Sequence, residues 1–586
     1  MMAGPSVYGT TTQRVLAIPE ILELVFSFLE AKDHARCVCV CKIWSEVALD
    51  TLWRDVDDLR RLFSVLAPIE PGEAPGLPDH FQRPLEPSDW ARFMRYARRV
   101  RSLSVTPETD GRLHGALVFD EIARTRTTFN ILPRLSSLSW MSEEGERLRL
   151  SLMFMHENIK QFSVRLVPSE HYSFGVFFQE IALRLSKLTC IDLSFQFPVR
   201  DIEEDLCKLF ESLVDLQKVV LPKFTITAKI VERLSRSPKL RVIQFEFLES
   251  QGAGDVSDVH NWFPTLHEDA FPSLNDLSAS VHLPHMVRFL NGEFSPSHLT
   301  CLYVHLLYTV PPYQVQDFLE AVAQNCQQMT QLYLDFSGDS SPLVFRTSLP
   351  DEDRITWNTL RPLLKLPKLI EFELHWDTPL ALTHSDIEEL ALSLPTLELL
   401  ILNSEPLPSL QPPPLTLRAL IPFARHCPKM RELSLYINAS SSDLDEASRE
   451  LYACLPPTRF RSLRQLSFGL SRIADSEAVA LFLSQLCPLG CTVTSGVSWP
   501  NGFDSMEAQT PEDSLVLADL WAQAGHWWAR WSEVNQILPL LTKARMEERA
   551  RRSELEREVE DLRVRCRLLG EQVKVGIAPD SECIAL

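Results

Sequence analysis

Leu188-Thr189-Cys190-Ile191-Asp192-Leu193 is one copy of a six-residue pattern, apolar-x-x-apolar-x-apolar, that returns through most of the chain. The same spacing occurs in Val100 to Val105, Leu135 to Trp140, Ile159 to Val164, Leu216 to Leu221, Leu240 to Phe245, Leu274 to Ala279 and Leu299 to Val304. It continues in Met329 to Leu334, Leu369 to Leu374, Leu397 to Leu402, Met430 to Leu435 and Leu463 to Phe468, thirteen copies in all, with central residues 24 to 40 positions apart. The last two apolar positions of each copy alternate, so each predicts a short strand with one face turned inward. Between copies lie amphipathic stretches, such as residues 201–213, 228–237, 315–326 and 385–394, whose apolar spacing predicts helices.

Strands and helices alternating at this period resemble a leucine-rich repeat, an α/β solenoid with one parallel sheet on its concave face and helices outside. Several repeats exceed the usual length of about 29 residues and the asparagine position of the motif is not kept, so the expectation is a degenerate solenoid over residues 91–500. The competing reading is a doubly wound α/β domain. In a solenoid the residues between the apolar positions line the concave face. Tyr303, His305, Tyr333, Asp335, Glu373, His375 and Tyr436 fall there and are the candidate substrate contacts. A merely solvated sheet face is the alternative.

Composition narrows the function classes. The chain has 586 residues, 45% of them apolar and 23% charged, with 90 leucines and 19 glycines. This is a globular balance with a leucine excess that the repeats absorb. Its 58 basic and 78 acidic residues give a net charge of −20, which disfavours nucleic acid as a partner. No apolar stretch reaches the ~20 residues of a membrane span, and the amino-terminal residues do not read as a secretory signal. The 13 scattered cysteines suit a reducing compartment, so a cytoplasmic or nuclear location is expected.

Residues 16–53, LAIPEILELVFSFLEAKDHARCVCVCKIWSEVALDTLW, change periodicity in a way that marks three short helices within a module over 14–57. Pro19 suits a first helical turn, and Ile18, Ile21, Leu22, Val25, Phe28 and Leu29 recur at steps of three and four. Asp33 is the expected cap of a second helix running through Cys37 and Cys41, and a third runs from about Trp44 to Trp53. Cys37, Cys39 and Cys41 do not share one helical face and no second pair follows at finger-like spacing, so buried thiols are expected there and no metal.

Ile18-Pro19-Glu20, Val25 to Leu29, Val40-Cys41-Lys42 with Trp44, and Leu52-Trp53 resemble the F-box motif. The resemblance implies docking onto the small Skp adaptor of cullin-RING ubiquitin ligases, with the rest of the chain selecting a protein substrate. On this reading Ile18, Pro19, Ile21, Leu22, Val25, Leu29, Val40 and Trp44 form the interface. Ile18 stands where leucine is commoner, a volume-conserving change. His34 replaces a usual leucine, which is expected to weaken the packing of the second helix. The alternative function is a repeat-based scaffold acting outside a ligase.

Residues 58–90 carry six prolines and are expected to be a linker. Arg92, Arg95 and Arg99 share a helical face and are expected to pair with the acidic body. Beyond residue 500, a Trp-rich segment over 501–540, with Trp521, Trp528 and Trp531 near one face, is expected to cap the repeat core. Residues 541–575 form a charged helix whose Leu555, Val559, Leu562, Cys566, Leu569 and Val573 make a seam of under three heptads. Packing back on the body and a short coiled coil both remain open. Residues 576–586 are expected to be a flexible tail, and its end, Cys583-Ile584-Ala585-Leu586, has the form read by prenyltransferases. Prenylation of Cys583 would give reversible membrane association. No phosphate loop, nucleophile elbow, zinc-protease helix or calcium loop is found, so the chain is read as a non-catalytic subunit without a cofactor.

Overall fold

In the computed structural model the thirteen copies of the motif all carry strands of parallel ladders. The structure describes residues 18–72, 78–110, 113, 116–246, 249–336, 343–345, 353–407, 409–453, 459–498, 506–508 and 510–576. Two compact units are present, residues 1–307 and 308–586.

In the first unit β1 (Asp55–Val56) is followed by β2 (Ser102–Val105), β3 (Ser137–Trp140), β4 (Gln161–Arg165), β5 (Cys190–Ser194) and β6 (Lys218–Leu221). The ladder continues through β7 (Val242–Phe245), β8 (Asp276–Val281) and β9 (Cys301–Leu306), each strand parallel to the next. In the second unit β10 (Gln331–Asp335), β11 (Glu371–His375), β12 (Leu399–Leu402), β13 (Glu432–Leu435), β14 (Gln465–Ser467) and β15 (Thr492–Thr494) pair in the same way. Helices such as Phe174–Arg184, Glu203–Ser212, Pro312–Asn325 and His384–Ser393 lie between successive strands in the chain. This is a leucine-rich-repeat-like α/β solenoid.

Register is set by burial. Leu103, Leu138, Phe162, Ile191, Val219, Ile243, Leu277 and Leu302 occupy one cross-strand row, all fully buried. Each such side chain contributes about 1.5–3 kcal/mol, and a one-residue slip would turn the whole row outward. The repeat starts are fastened without an asparagine ladder. The carbonyl of Arg101 accepts the amides of Ser136 and Ser137 at 2.8 and 3.0 Å, and those of Ser136, Lys160, Thr189, Gln217 and Arg241 repeat the arrangement. Thr330, Ile370, Glu398 and Arg431 do the same in the second unit.

The proline-rich segment is more than a linker. A helix over Leu59–Phe63 and an antiparallel hairpin of Ile69–Glu70 with His80–Phe81 follow β1. Leu59, Leu62, Phe63, Leu66 and Ala67 are buried, with Phe63 edge-on to Phe119 at 5.4 Å. Enough apolar surface sits ahead of the prolines to hold the segment on the first repeats.

One helix, Pro511–Gly576, runs through both the Trp-rich segment and the charged segment. Trp531 is fully buried and stacks on Phe468 at 4.2 Å, while its indole N–H donates to the Ser471 carbonyl at 3.0 Å. Trp528 donates to the Gly469 carbonyl at 3.1 Å, and Asn535 Oδ1 accepts the Val493 amide of β15 at 2.8 Å. The helix thus covers apolar surface beside β14 and binds an amide of the last strand, the kind of protection an exposed edge needs.

Candidate adaptor-docking module and repeat face

Three helices open the described chain: α1 (Pro19–Phe26), α2 (Ala31–Cys37) and α3 (Lys42–Arg54). Pro19 occupies the first turn of α1, where a missing N–H costs no hydrogen bond. Helix α2 starts earlier than the sequence suggests, with Glu30 in the capping position and Asp33 inside the first turn. Leu22, Phe26, Val47 and Ala48 form the module's core, with Leu29, Cys37, Val38 and Trp44 packed against it. The Phe26 ring meets Trp44 edge-on at 5.5 Å.

His34 does not loosen this core. It is buried, its ring lies 6.0 Å from that of Phe26, and Nε2 is 2.7 Å from the Phe26 carbonyl. That carbonyl, in the last turn of α1, also accepts the Leu29 amide at 2.9 Å, so the imidazole takes its second acceptor position. The imidazole therefore substitutes a hydrogen bond for the apolar fill of a leucine.

Helix α1 is apolar on more than one side. Leu22 and Phe26 point into the core, whereas Ile18, Val25 and Phe28 are exposed by 41%, 42% and 83%. Leu24, Val40 and Ile43 are exposed as well. Of the residues anticipated for docking, Ile18, Pro19, Val25 and Val40 are exposed and Ile21, Leu29 and Trp44 half-buried. Leu22 is fully buried and supports the module from within instead of meeting a partner. Leu24, Phe28 and Ile43 were missed as surface residues. Periodicity marks all of them as apolar, yet it cannot say which face of a doubly apolar helix is covered. Cys39 and Cys41 are exposed, because α2 ends at Cys37 and the chain turns outward, while Cys37 is half-buried. Among the described residues no cluster of His, Cys, Asp and Glu has the make-up of a metal site.

The module is tied to the first repeat. Arg99, just after the Pro87–Ala97 helix, donates to the carboxylates of Glu46 and Asp50 and, at 3.0 Å, to the Glu46 carbonyl. Here α4 denotes the Leu59–Phe63 helix and α5 is Pro87–Ala97. Trp53 of α3 lies 5.0 Å from Tyr96 of α5. Arg92 donates to the carbonyls of Val65 and Leu66 and to Asp89.

The anticipated repeat-face residues separate by unit. In the first, Tyr303 is half-buried and edge-on to Phe245 at 5.5 Å. His305 is fully buried, 5.5 Å from Phe224. An insertion carrying Ala253, Val256 and Val259 packs with Phe224 and Leu307 and brings apolar cover to this end of β9. His305 is therefore core and not a substrate contact.

In the second unit Tyr333, Asp335, Glu373 and His375 come together on neighbouring strands, Tyr333 opposite Glu373 and Asp335 opposite His375. All four are half-buried. The Tyr333 hydroxyl donates to Glu371, and His375 Nε2 lies 3.4 Å from a Glu373 oxygen. Burial works against charge on His375, but Glu373, Asp335 and Glu405 outweigh it and raise its pKa above the usual imidazole value. Burial together with Glu373 and Glu371 raises the Glu432 carboxyl. Glu371 and Glu432 were missed; they occupy the first face position of their motifs, a regularity the sequence does contain. Tyr436 is buried with Leu470 and Ala524 against Trp521, Trp527 and Trp528, so the C-terminal helix removes it from the open face. Cys583 lies outside the described residues.

The F-box-like family model matches residues 19–58. Residues 19–58 are an F-box-like domain. No curated protein matches the chain. Among solved structures, the chain is similar to the leucine-rich-repeat protein LegL7 from Legionella pneumophila, at 11% identity and a TM-score of 0.28, over 55% of this chain and 89% of that one. It is also similar to the yeast Rad7 and Elc1 complex, at 11% identity and a TM-score of 0.29, over 87% of this chain and 100% of that one. A third likeness is to the TLR13–ssRNA13 complex, at 12% identity and a TM-score of 0.23, over 72% of this chain and 60% of that one. Among the described residues no helix is long and apolar enough to cross a membrane.

Proposed function

We propose that the protein is a substrate-recruiting, non-catalytic adaptor of a Skp-cullin-F-box ubiquitin ligase. The observation that carries this reading is the set of large apolar side chains that the F-box-like domain leaves exposed, Ile18, Leu24, Val25, Phe28, Val40 and Ile43, around a packed core of its own. Six large apolar side chains in one small module mark an interface. The domain would hold the Skp adaptor, the adaptor the cullin scaffold, and the repeats a protein substrate. Ubiquitin transfer would then be accelerated by proximity, with no residue of this chain taking part in the chemistry.

The substrate contact is assigned to Tyr333, Asp335, Glu373 and His375, extended by Glu371 and Glu432. Their charge favours a Lys- or Arg-rich segment of the substrate. Glu371→Lys with Glu373→Lys is expected to abolish capture of that substrate and leave adaptor binding intact. The test is reconstitution of the full chain with purified Skp adaptor and cullin scaffold. Co-elution as one complex is expected, and separate elution at about 10 μM of each component, far above the dissociation constant of a specific interface, overturns the reading.

A further inference from the structure

The C-terminal helix contacts the body only along its first part. Trp531, Val534, Leu538 and Thr542 are buried, Arg545 and Arg549 half-buried, and every described residue from Ala550 to Leu569 is exposed. That outer part still carries large apolar side chains. Leu555, Val559, Leu562 and Leu569 are exposed by 60%, 46%, 50% and 60%. With Cys566 they recur at steps of four and three, and Val573 continues the series in the sequence. A helix end that served only as a solvated spacer would have no use for such a seam.

The residues at the seam specify its occupant. Taking Leu555 as position d of a heptad places Leu555, Leu562 and Leu569 at d and Val559, Cys566 and Val573 at a. Leucine at d with β-branched valine at two of the three a positions favours two strands over three or four. The flanking charges agree. Arg551 and Glu558 fall at g, and Glu556 and Arg563 at e. In a parallel pair each g residue faces the e residue five positions on in the other strand, so Arg551 meets Glu556 and Glu558 meets Arg563. Both contacts are attractive, and symmetry doubles them.

We propose that residues 551–573 pair with the same residues of a second copy of this chain as a parallel, in-register, two-stranded coiled coil. Arg545, Glu548 and Arg552 occupy the preceding a and d positions and mark where the seam gives way to packing on the body. The dimer carries two F-box-like domains and two repeat faces. The inference is independent of the ligase reading, since it uses neither.

The test is sedimentation of the full chain from about 1 to about 100 μM, the range in which so short a coiled coil should dissociate. A monomer–dimer equilibrium is expected, and a monomer throughout overturns the proposal. Leu562→Lys lies outside the body and is expected to raise the dissociation constant at least about 100-fold with an unchanged melting temperature. Glu558→Arg is expected to weaken the dimer about three- to thirty-fold, and Glu558→Arg with Arg563→Glu to restore it. Mild oxidation should give a Cys566–Cys566 peptide, identified by mass spectrometry and absent from Cys566→Ser. A dimer that survives Leu562→Lys, or that never yields this cross-link, overturns the parallel register.

Discussion

Replacing Val25 and Phe28 by alanine removes two of the six large apolar side chains that the F-box-like domain leaves open, Phe28 being the most exposed of them. Burying a Val or Phe side chain fully contributes about 1.5–3 kcal/mol. Scaled by the exposed fractions of 83% and 42%, Phe28 has about 1.2–2.5 and Val25 about 0.6–1.3 kcal/mol still to gain from a partner. Together that is about 2–4 kcal/mol, or roughly 20- to 600-fold in the dissociation constant for the Skp adaptor. Titration calorimetry of the full chain against the purified adaptor reads this directly. Folding should be untouched, because exposed substitutions usually stay within about 0.5 kcal/mol. Leu22→Ala is the contrasting variant: it empties a fully buried site beside Phe26 and should cost about 2–5 kcal/mol of module stability. A doubly substituted chain, Val25→Ala with Phe28→Ala, that binds the adaptor within about twofold of the natural chain would refute the docking face, since Phe28 is its most exposed large apolar side chain.

Two further outcomes follow from buried polar groups. Asn403 is buried at a φ of +45°, with Nδ2 donating to the Thr378 carbonyl at 2.7 Å and Oδ1 accepting the Trp376 amide at 3.0 Å. Asn403→Ala should destabilise the second unit by about 2–4 kcal/mol, and Asn403→Gly, which relieves the backbone but not the lost bonds, should recover about 1 kcal/mol; thermal melting and exchange of the Trp376 amide measure both. Asp89 is buried and held to a pKa of about 2 by the two 2.7 Å bonds from Arg83, which outweigh burial, with help from the Glu86 amide and Arg92. Because its folded pKa lies below the usual carboxylate value, the pair stabilises the fold above about pH 5 and loses that contribution as pH falls toward 2. Arg83 is 44% exposed, so solvent screening reduces the effect to about 1 kcal/mol, and Asp89→Asn should lessen the fall in melting temperature between pH 5 and pH 2 by that contribution, while Asp255, also held to about 2, keeps its own.

The repeats were legible because a two-residue alternation recurring thirteen times admits few structural causes, and Leu103, Leu138 and Phe162 need no neighbour's identity to be placed inward. The ladder ends were not legible. Asp55–Val56 is two residues long and Thr492–Thr494 has one apolar position, so neither contains a period to detect. In residues 58–90 the prolines masked Leu59, Leu62, Phe63 and Leu66, which already formed a helical pattern. Burial of His305 and Tyr436 was out of reach for a different reason. Both sit at positions that a bare repeat would expose, and what brings cover to them comes from an insertion beyond β7 and from a helix almost a hundred residues downstream. Within the F-box-like domain the apolar residues were legible, but not their division between core and surface, because that division depends on three helices packing together.

The junction between that domain and the repeats has its own consequence. Arg99 has a side chain only 15% exposed, whereas Glu46 and Asp50 are 65% and 56% exposed. Burial disfavours its charge, and the two carboxylates more than restore it, so its pKa is raised. The Arg101 amide also donates to the Arg54 carbonyl at 2.8 Å, and β1 continues α3 directly into the ladder. These contacts fix how the F-box-like domain is set on the first repeats, and on the proposed function the direction in which it would present an adaptor. Arg99→Ala leaves Glu46 and Asp50 free to hydrate, so the loss of stability should be small, on the order of 1 kcal/mol. Adaptor affinity should change little, because Ile18, Val25 and Phe28 lie in or beside α1, a different helix from the α3 that carries Glu46 and Asp50, and only Ile43 of the six exposed docking residues shares α3 with them. Proximity catalysis depends on orientation, however, and a loosened junction should lower the ubiquitin-transfer rate in a reconstituted ligase by about two- to ten-fold. Arg99→Lys, which keeps the charge but not the forked geometry, should fall between the two. Equal losses of adaptor affinity and transfer rate in Arg99→Ala would show that the residue holds the domain together and does not orient it.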